Sequence, residues 1–165
     1  VDIGARITTV VIARDGAPQM VRTLSTGGQH VTDAVAAEGR MPFPDAEALK
    51  RQVGVGFAVS SDLAGAAEVV NHVTQNLVEA VRNTLVYYAS THPGAAVELM
   101  VLTGGGSYLN GLGQYLSSAS RLPVTMGDIL GGVGVSVAKS ASLHALAGVE
   151  STIALPLGLA LAVAA

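Results

Sequence analysis

The chain has 165 residues, half of them hydrophobic and 13% charged, so it is long enough to bury a sizeable core within one domain. A net charge of −3, with only nine Lys and Arg residues, argues against nucleic acid as a partner because it leaves no basic stripe. With no cysteine, the sequence excludes disulfides and thiolate metal sites, and its four histidines lack the spacing of metal ligands. The chain begins at Val1 instead of methionine, and we expect it to be part of a longer protein.

The first part of the chain predicts an antiparallel meander. Val1–Gly4 and Ile7–Ala13 are rich in β-branched residues and indicate two strands joined by a tight turn. Asp15-Gly16 is a hairpin signal, after which Gln19–Leu24 returns as a third strand. The turn between the first two strands therefore carries an acid, Asp2, and a glycine.

Three helices are predicted next. Gln29–Glu38 has an apolar face, and Asp45 is the expected N-cap of a second helix over Ala46–Val53. The longest helical pattern begins after Asp62 and ends at His92-Pro93-Gly94.

The second predicted helix carries an acid and a base on one face. Glu47 and Lys50 lie three residues apart, a spacing that brings side chains together on a helix. The spacing by itself predicts a weak surface ion pair, worth a few tenths of a kcal/mol.

The most distinctive stretch is a glycine-rich turn. Val97–Leu102 has strand character and leads through Thr103 into Gly104, Gly105, Gly106 and Ser107, after which a helix is predicted over Tyr108–Ser118. Glycines let a flat ligand approach the backbone, and the N–H groups of a following helix can face an anion. The alternative is a strand-to-helix turn that binds nothing.

The remaining sequence predicts a short strand over Leu122–Met126, a loop over Gly127–Gly134, and alanine-rich helices over Val135–Ala147 and Thr152–Ala164. The apolar end, Ile153–Ala165, is too short to span a bilayer. The order of elements predicts a mixed α/β sheet.

Three familiar motifs are absent. The glycine turn lacks the third glycine or alanine of a dinucleotide fingerprint, because Leu109 stands there. Ala138-Lys139-Ser140 lacks the glycines of a P-loop, and no Gly-x-Ser-x-Gly elbow occurs. The sequence gives no support for acyl-transfer chemistry.

A different set of motifs occurs in order along nearly the whole chain. Asp2-Ile3-Gly4 comes first, followed by Gly27-Gly28, Ala46-Glu47 with Lys50, and Leu102–Ser107. In this order and spacing the chain resembles the second large lobe of the actin-like ATPase superfamily. The resemblance is to the branch that contains the type IV pilus assembly protein PilM and the cell-division protein FtsA.

The resemblance implies a ribonuclease H-like α/β fold, with a mixed sheet of about five strands flanked by helices. Residues 1–41 and 90–165 would form a core like subdomain IIA. Residues 42–89 would form a reduced, mostly helical insertion like subdomain IIB.

The resemblance also implies that ATP and Mg²⁺ are bound. Asp2 would hold Mg²⁺ through water, since this ion keeps much of its hydration, and Glu47 and Lys50 would contact ribose and base. These groups must converge, which is feasible if the strands before Asp2-Ile3-Gly4 and Gly104 are neighbours. The nucleotide-binding residues implied are Asp2, Gly4, Thr8, Glu47, Lys50, Gly104, Gly105, Gly106 and Ser107.

The function implied is that of a cytoplasmic, nucleotide-dependent scaffold for type IV pilus assembly. It would lie at the inner membrane through the tail of a PilN-like partner, and the cleft surface exposed without the first lobe would favour self-association. Hydrolysis by this part alone is not expected, because a cleft needs both walls to position water. Alternatives are an FtsA-like division protein and a sugar kinase of the same superfamily, which would need a catalytic aspartate.

Overall fold

The computed structural model describes residues 1–127 and 150–164. Residues 128–134 of the predicted loop and the predicted helix over Val135–Ala147 lie outside these described residues. The described strands are β1 (Asp2–Ile3), β2 (Thr8–Arg14), β3 (Ala17–Leu24), β4 (Met100–Leu102) and β5 (Val124–Met126). The described α-helices are α1 (Gly28–Gly39), α2 (Phe43–Val53), α3 (Ala64–Thr91), α4 (Leu112–Ser120) and α5 (Ala154–Ala164).

The meander forms as predicted, with β1 antiparallel to β2 and β2 antiparallel to β3. Asp15 and Gly16 connect β2 to β3 with φ angles of 53° and 77°. Two consecutive positive φ values are typical of the type I′ turn, whose twist matches that of the strands it joins.

The strands form two sheets, in the orders β1-β2-β3 and β4-β5, with β4 and β5 parallel. One parallel bridge between Asp2 and Thr103 joins the two sheets. The Ile3 N–H donates to the Thr103 carbonyl at 2.8 Å, and the Thr103 N–H donates to the Val1 carbonyl at 2.9 Å. The mixed α/β class is confirmed, whereas a single five-stranded sheet is not.

That bridge makes β1 and β4 neighbours, which is the condition for the predicted site residues to converge, and it places β4 between β1 and β5. The predicted strand over Val97–Leu102 is shortened to its last three residues. Its pairing begins where the Met100 N–H donates to the Pro123 carbonyl at 3.0 Å, and β5 offers only three residues to pair with.

Two helix beginnings differ from the prediction. Asp45 is not an N-cap, because α2 already begins at Phe43 after an extended Pro42, and a proline is tolerated in a first helical turn. The helix predicted over Tyr108–Ser118 is divided into a 3₁₀ turn over Gly105–Tyr108 and α4. Gly111, which has a φ of 83°, lies between the 3₁₀ turn and α4.

The core consists of two apolar clusters, with α3 contributing to both. The first packs the sheet residues Ile3, Val10 and Leu102 against Leu77 and Val81 of α3. The second joins α1, α2 and the beginning of α3. Helix α3 thus ties the sheet to the α1–α2 pair, and the glycine turn lies where the two parts meet.

Among the described residues, no helix has the length and apolar character needed to cross a membrane.

Candidate functional site

A cleft of about 400 Å³ lies between α1, α2, α3 and the turn that follows β4. The polar and glycine residues of its lining are Gly28, Glu47, Lys50, Arg51, Thr74, Gly105, Gly106, Tyr108, Asn110 and Thr152. Its apolar residues are Ile3, Val31, Leu77, Leu109 and Leu112. A cavity of about 490 Å³ beside the β2–β3 hairpin contains none of the predicted site residues.

The charged end of the cleft is built around the Glu47 carboxylate. Its Oε2 atom accepts hydrogen bonds from Lys50 Nζ at 2.6 Å and from Thr32 Oγ1 at 2.5 Å. Its Oε1 atom accepts one from Arg51 Nε at 2.9 Å. Burial by itself raises the pKa of the Glu47 carboxyl, but the hydrogen bonds from Lys50, Thr32 and Arg51 outweigh it and hold this pKa below its ordinary value.

Lys50 is the buried member of this group, with 10% of its side chain exposed against 75% for Arg51. Its ammonium group donates to Glu47, to Thr32 Oγ1 at 2.9 Å and to the Gly28 carbonyl at 3.2 Å. Those three acceptors use the three donors of an ammonium group. Lys50 therefore fixes α2 against the beginning of α1, and the Glu47–Lys50 pair is not a solvated surface pair.

The glycine turn lies directly on β1. Gly104 has a φ of 82°, and a Cβ added there would overlap Asp2 Oδ1 and come within 2.5 Å of the Ile3 carbonyl oxygen. A Cβ at Gly106 would lie 2.5 Å from Ile3 Cγ2, whereas the nearest atom to one at Gly105 is Thr152 Cγ2 at 3.6 Å. Gly104 and Gly106 are thus required by the packing of the turn on β1. Gly105 is not, and it is exposed in the cleft.

The turn between β1 and β2 contacts the beginning of α1. The Gly4 carbonyl accepts from the Gly28 N–H at 2.9 Å, and the Ala5 carbonyl accepts from the Gln29 N–H at 2.7 Å. The Gly4 N–H donates to the Ile7 carbonyl at 2.9 Å. The first N–H groups of α1 are therefore occupied and do not form an open anion site.

Gly28 marks the point where the predicted site elements meet. A Cβ added at Gly28 would lie 3.4 Å from Gly106 Cα, 3.8 Å from the Gly4 carbonyl oxygen and 4.0 Å from Lys50 Nζ. The β1–β2 turn, the glycine turn and the α2 side chains therefore converge, although about one hundred residues separate the first two in sequence.

The predicted residues differ in how they relate to the cleft. Glu47, Lys50, Gly105 and Gly106 line it together, whereas Asp2, Gly4, Thr8, Gly104 and Ser107 do not. The Thr8 hydroxyl donates to the Thr26 carbonyl at 2.7 Å, and that of Ser107 donates to the Gly104 carbonyl at 2.6 Å. Both hydroxyls are thus engaged within the protein.

Asp2 is half-buried beneath Gly104, and its carboxylate interacts electrostatically with the N-terminal ammonium of Val1. No hydrogen bond joins this carboxylate to another described residue. Within residues 1–127 and 150–164, no cluster of three or more His, Asp or Glu side chains could hold a metal ion by itself. A single carboxylate without a hydrogen bond fits Mg²⁺ that is held mainly through water.

Several residues that line the cleft were not predicted from the sequence. Arg51 follows Lys50 directly and lies four residues after Glu47, so helical spacing could have indicated it. Tyr108 and Asn110 follow the glycine turn and could have been proposed by proximity. Thr74 gave only a weak signal, as a polar residue on the buried face of α3.

The family model for the cell division protein FtsA matches residues 1–148 of the chain. This chain belongs to the FtsA family. No curated protein sequence matches it at a significant level.

Among solved structures, this FtsA-family chain is similar to the PilM–PilN type IV pilus biogenesis complex. The two are 27% identical with a TM-score of 0.80, over 97% of this chain and 44% of that chain. The ethanolamine utilization protein EutJ from Carboxydothermus hydrogenoformans is 22% identical with a TM-score of 0.62, over 97% of this chain and 46% of that one. MreB5 of Spiroplasma citri bound to ADP is 16% identical with a TM-score of 0.63, over 97% of this chain and 51% of that one.

These comparisons confirm the predicted actin-like fold and the resemblance to the PilM and FtsA branch. The FtsA-family chain spans about half the length of the solved chains that it matches.

Proposed function

We propose that this chain is the nucleotide-binding half of a cytoplasmic actin-like scaffold protein for type IV pilus assembly, similar to PilM. One observation carries the nucleotide part: Glu47, Lys50, Gly105 and Gly106 come from distant parts of the chain and line one cleft. The pilus part is supported by the 27% identity and the TM-score of 0.80 to the PilM–PilN complex.

The nucleotide proposed is ATP, with its ribose and base beside α2 and the glycine turn. Support comes from the site chemistry, because Glu47 and Arg51 offer the acceptors and donors that ribose hydroxyls need. The MreB5 structure with the same fold contains ADP. Gly105 and Gly106 would supply the backbone floor for the adenosine.

Mg²⁺ is proposed to lie on the side of Asp2, held through water. Gly4, Thr8, Gly104 and Ser107 would then support the phosphate side indirectly, since their polar groups hold the two turns in place. When bound, the ion would neutralise phosphate charge beside this carboxylate.

The subdomain division also remains a proposal. Residues 1–41 and 90–165 would be the core, and 42–89 the insertion. The two apolar clusters are compatible with it, although α1 packs in the cluster that contains α2. In a complete protein of this type the first lobe would supply the other wall of the cleft, and hydrolysis would require it.

The proposed partner is a short tail of a PilN-like inner-membrane protein, which would place the scaffold at the inner membrane. Support comes from the PilM–PilN complex. A second candidate is an FtsA-like role in cell division, favoured by the family match over residues 1–148. Co-purification of the complete protein with a PilN-like protein, against localisation of a fluorescent fusion at the division site, distinguishes the two.

The nucleotide is tested by calorimetry with ATP and Mg²⁺ on the complete protein and on Gly105→Val. A Cβ at residue 105 meets only Thr152 Cγ2 at 3.6 Å, and the branched side chain of valine would occupy the cleft, so we expect ATP affinity to fall by about tenfold or more. Gly65→Val is the matched control, because no atom lies within 4 Å of a Cβ there. Equal ATP affinity in wild type and Gly105→Val would remove the adenosine assignment.

A further inference from the structure

We propose that the hydroxyl of Thr74 forms a hydrogen bond with a polar edge atom of the nucleotide base, and so is a specificity-determining residue of the cleft. This inference rests on the proposed nucleotide function. It adds a residue that none of the site motifs contains, on a helix that those motifs do not include.

The first observation is that Thr74 is buried without a partner. Four threonines among the described residues are at most 1% exposed: Thr8, Thr32, Thr74 and Thr84. Thr8 and Thr32 donate to Thr26 and Glu47 respectively, and Thr84 donates to the Ala80 carbonyl at 2.8 Å. Thr74 Oγ1 is the one buried side-chain polar atom of the described residues without a hydrogen-bond partner.

The comparison with Thr84 shows that this is not a general property of threonine in α3. Both residues lie in the interior of the same helix, where a threonine hydroxyl commonly bonds to the carbonyl four residues earlier. Thr84 forms this bond and Thr74 does not. A buried hydroxyl without a partner costs free energy, so Thr74 is a position where a hydrogen bond to a group from outside the chain would be favourable.

The second observation is where Thr74 lies. It belongs to the wall of the cleft, together with the apolar residues Val31, Leu77 and Leu112. Glu47 and Lys50 line the same cleft and supply its charged groups. The three donors of the Lys50 ammonium group are already paired, whereas Thr74 Oγ1, which belongs to the part of the wall with these apolar residues, has no hydrogen-bond partner.

This combination suits a nucleobase. A base has flat apolar faces that pack on aliphatic side chains and polar nitrogen and oxygen atoms at its edge. A hydroxyl can both donate to and accept from such an edge atom. The phosphates lack apolar faces, and the ribose is better matched by the charged group around Glu47.

The test compares four forms of the complete protein: wild type, Thr74→Val, Thr74→Ser and Thr84→Val. Valine has the shape of threonine without the hydroxyl, and serine keeps the hydroxyl. Thermal unfolding is measured without nucleotide, and calorimetry is done with ATP and Mg²⁺ and separately with inorganic tripolyphosphate.

We expect Thr74→Val to unfold at the same or a higher temperature than wild type and to bind ATP about tenfold more weakly. Its response to tripolyphosphate should equal that of wild type, because the base is missing from that probe. Thr74→Ser should retain most of the ATP affinity. Thr84→Val should show the opposite result, with a lower unfolding temperature and unchanged ATP affinity.

Two outcomes overturn the inference while leaving the proposed function intact. One is wild-type ATP affinity in Thr74→Val. The other is a fall of its unfolding temperature like that of Thr84→Val, which means that the hydroxyl already has a partner in the protein. If wild type binds no nucleotide, both the proposed function and this inference fail.

Discussion

The Nζ atom of Lys50 lies 2.6 Å from the Oε2 atom of Glu47, and the ammonium group is buried against α1. Arg51 reaches the other oxygen of the same carboxylate from the surface, with 75% of its side chain exposed. Removal of Lys50 therefore leaves buried hydrogen-bond acceptors without their donor, whereas removal of Arg51 breaks only an exposed ion pair.

Replacement of the buried cation is expected to cost far more stability than replacement of the exposed one. Lys50→Met leaves Glu47, Thr32 and the Gly28 carbonyl without their shared donor, at a cost of about 1–3 kcal/mol. Arg51→Met removes an exposed pair and should change the free energy of unfolding by at most about 0.5 kcal/mol. Urea unfolding of the complete protein measures both, and equal losses would contradict the buried role of Lys50.

The protein should become less stable at acid pH because the Glu47 carboxyl is protonated there. Its folded-state pKa lies below the ordinary value of 4.5, because the hydrogen bonds from Lys50, Thr32 and Arg51 outweigh burial. A carboxyl with a depressed folded-state pKa contributes stability above its unfolded pKa, and this contribution is lost as pH falls through the lower folded-state pKa. Glu47→Gln lacks this contribution.

We therefore expect thermal unfolding between about pH 7 and pH 3 to show a shallower acid-side loss in Glu47→Gln than in wild type. Glu68→Gln, an exposed position on α3, is the control and should retain the wild-type slope. A wild-type slope in Glu47→Gln would show that the network does not stabilise the ionised carboxyl.

The two neighbouring glycines of the turn should respond differently to alanine. Gly106→Ala brings a Cβ to 2.5 Å from Ile3 Cγ2 and 2.9 Å from the Ile3 carbonyl oxygen, so β1 or the turn must move. We expect it to lower the free energy of unfolding by about 1–3 kcal/mol. Gly105→Ala meets only Thr152 Cγ2 at 3.6 Å and should change it by no more than about 0.5 kcal/mol. Similar losses in both variants would contradict the close packing of the turn on β1.

The hairpin turn gives a purely conformational prediction. Gly16 has a φ of 77° and nothing within 4 Å of an added Cβ, so Gly16→Ala tests backbone strain without a clash. We expect it to destabilise the protein by about 1–2 kcal/mol. Gly65→Ala, also in open space but at the beginning of α3, should stabilise it by up to about 1 kcal/mol. Chemical denaturation measures the free energy of unfolding of both variants. Stabilisation by Gly16→Ala would rule out the type I′ turn.

The proposed magnesium site predicts a specific loss. Asp2→Asn removes the carboxylate beneath Gly104, so the gain in ATP affinity on adding Mg²⁺ should shrink, while affinity without metal should not fall. Asp33→Asn, at an exposed position of α1, should keep the full magnesium effect. Calorimetry of the complete protein with and without Mg²⁺ measures both, and a full effect in Asp2→Asn would remove the residue from the metal site.

Local patterns in the sequence determined most elements of this fold. Alternation of β-branched residues and the Asp15-Gly16 signal predicted the meander, since strand propensity and turn chemistry act within a few residues. The apolar spacing of α3 predicted its length to within a few residues, and its end at His92 followed from the Pro93-Gly94 pair. The order of the motifs was sufficient to indicate the actin-like fold.

The prediction was less accurate where the bounds of an element depend on pairing or packing partners. The strand before the glycine turn is only as long as its partner β5, and α4 begins later than predicted because Gly111 has a positive φ. Neither partner length nor backbone angle is encoded in the apolar pattern of a single segment.

The candidate site shows the same difference between what local sequence patterns predict and what packing determines. Helical spacing paired Glu47 with Lys50, the resemblance to the actin-like lobe gave this pair a ligand role, and the run of three glycines marked the turn. The tertiary structure was needed to show that Lys50 is buried, that Thr8 and Ser107 are engaged within the protein, and that Thr74 is buried in the cleft wall without a partner. The physical reason is that burial and hydrogen-bond satisfaction depend on contacts between α1, α2, α3 and the turn after β4. Those contacts join residues far apart in the chain, and no local pattern records them.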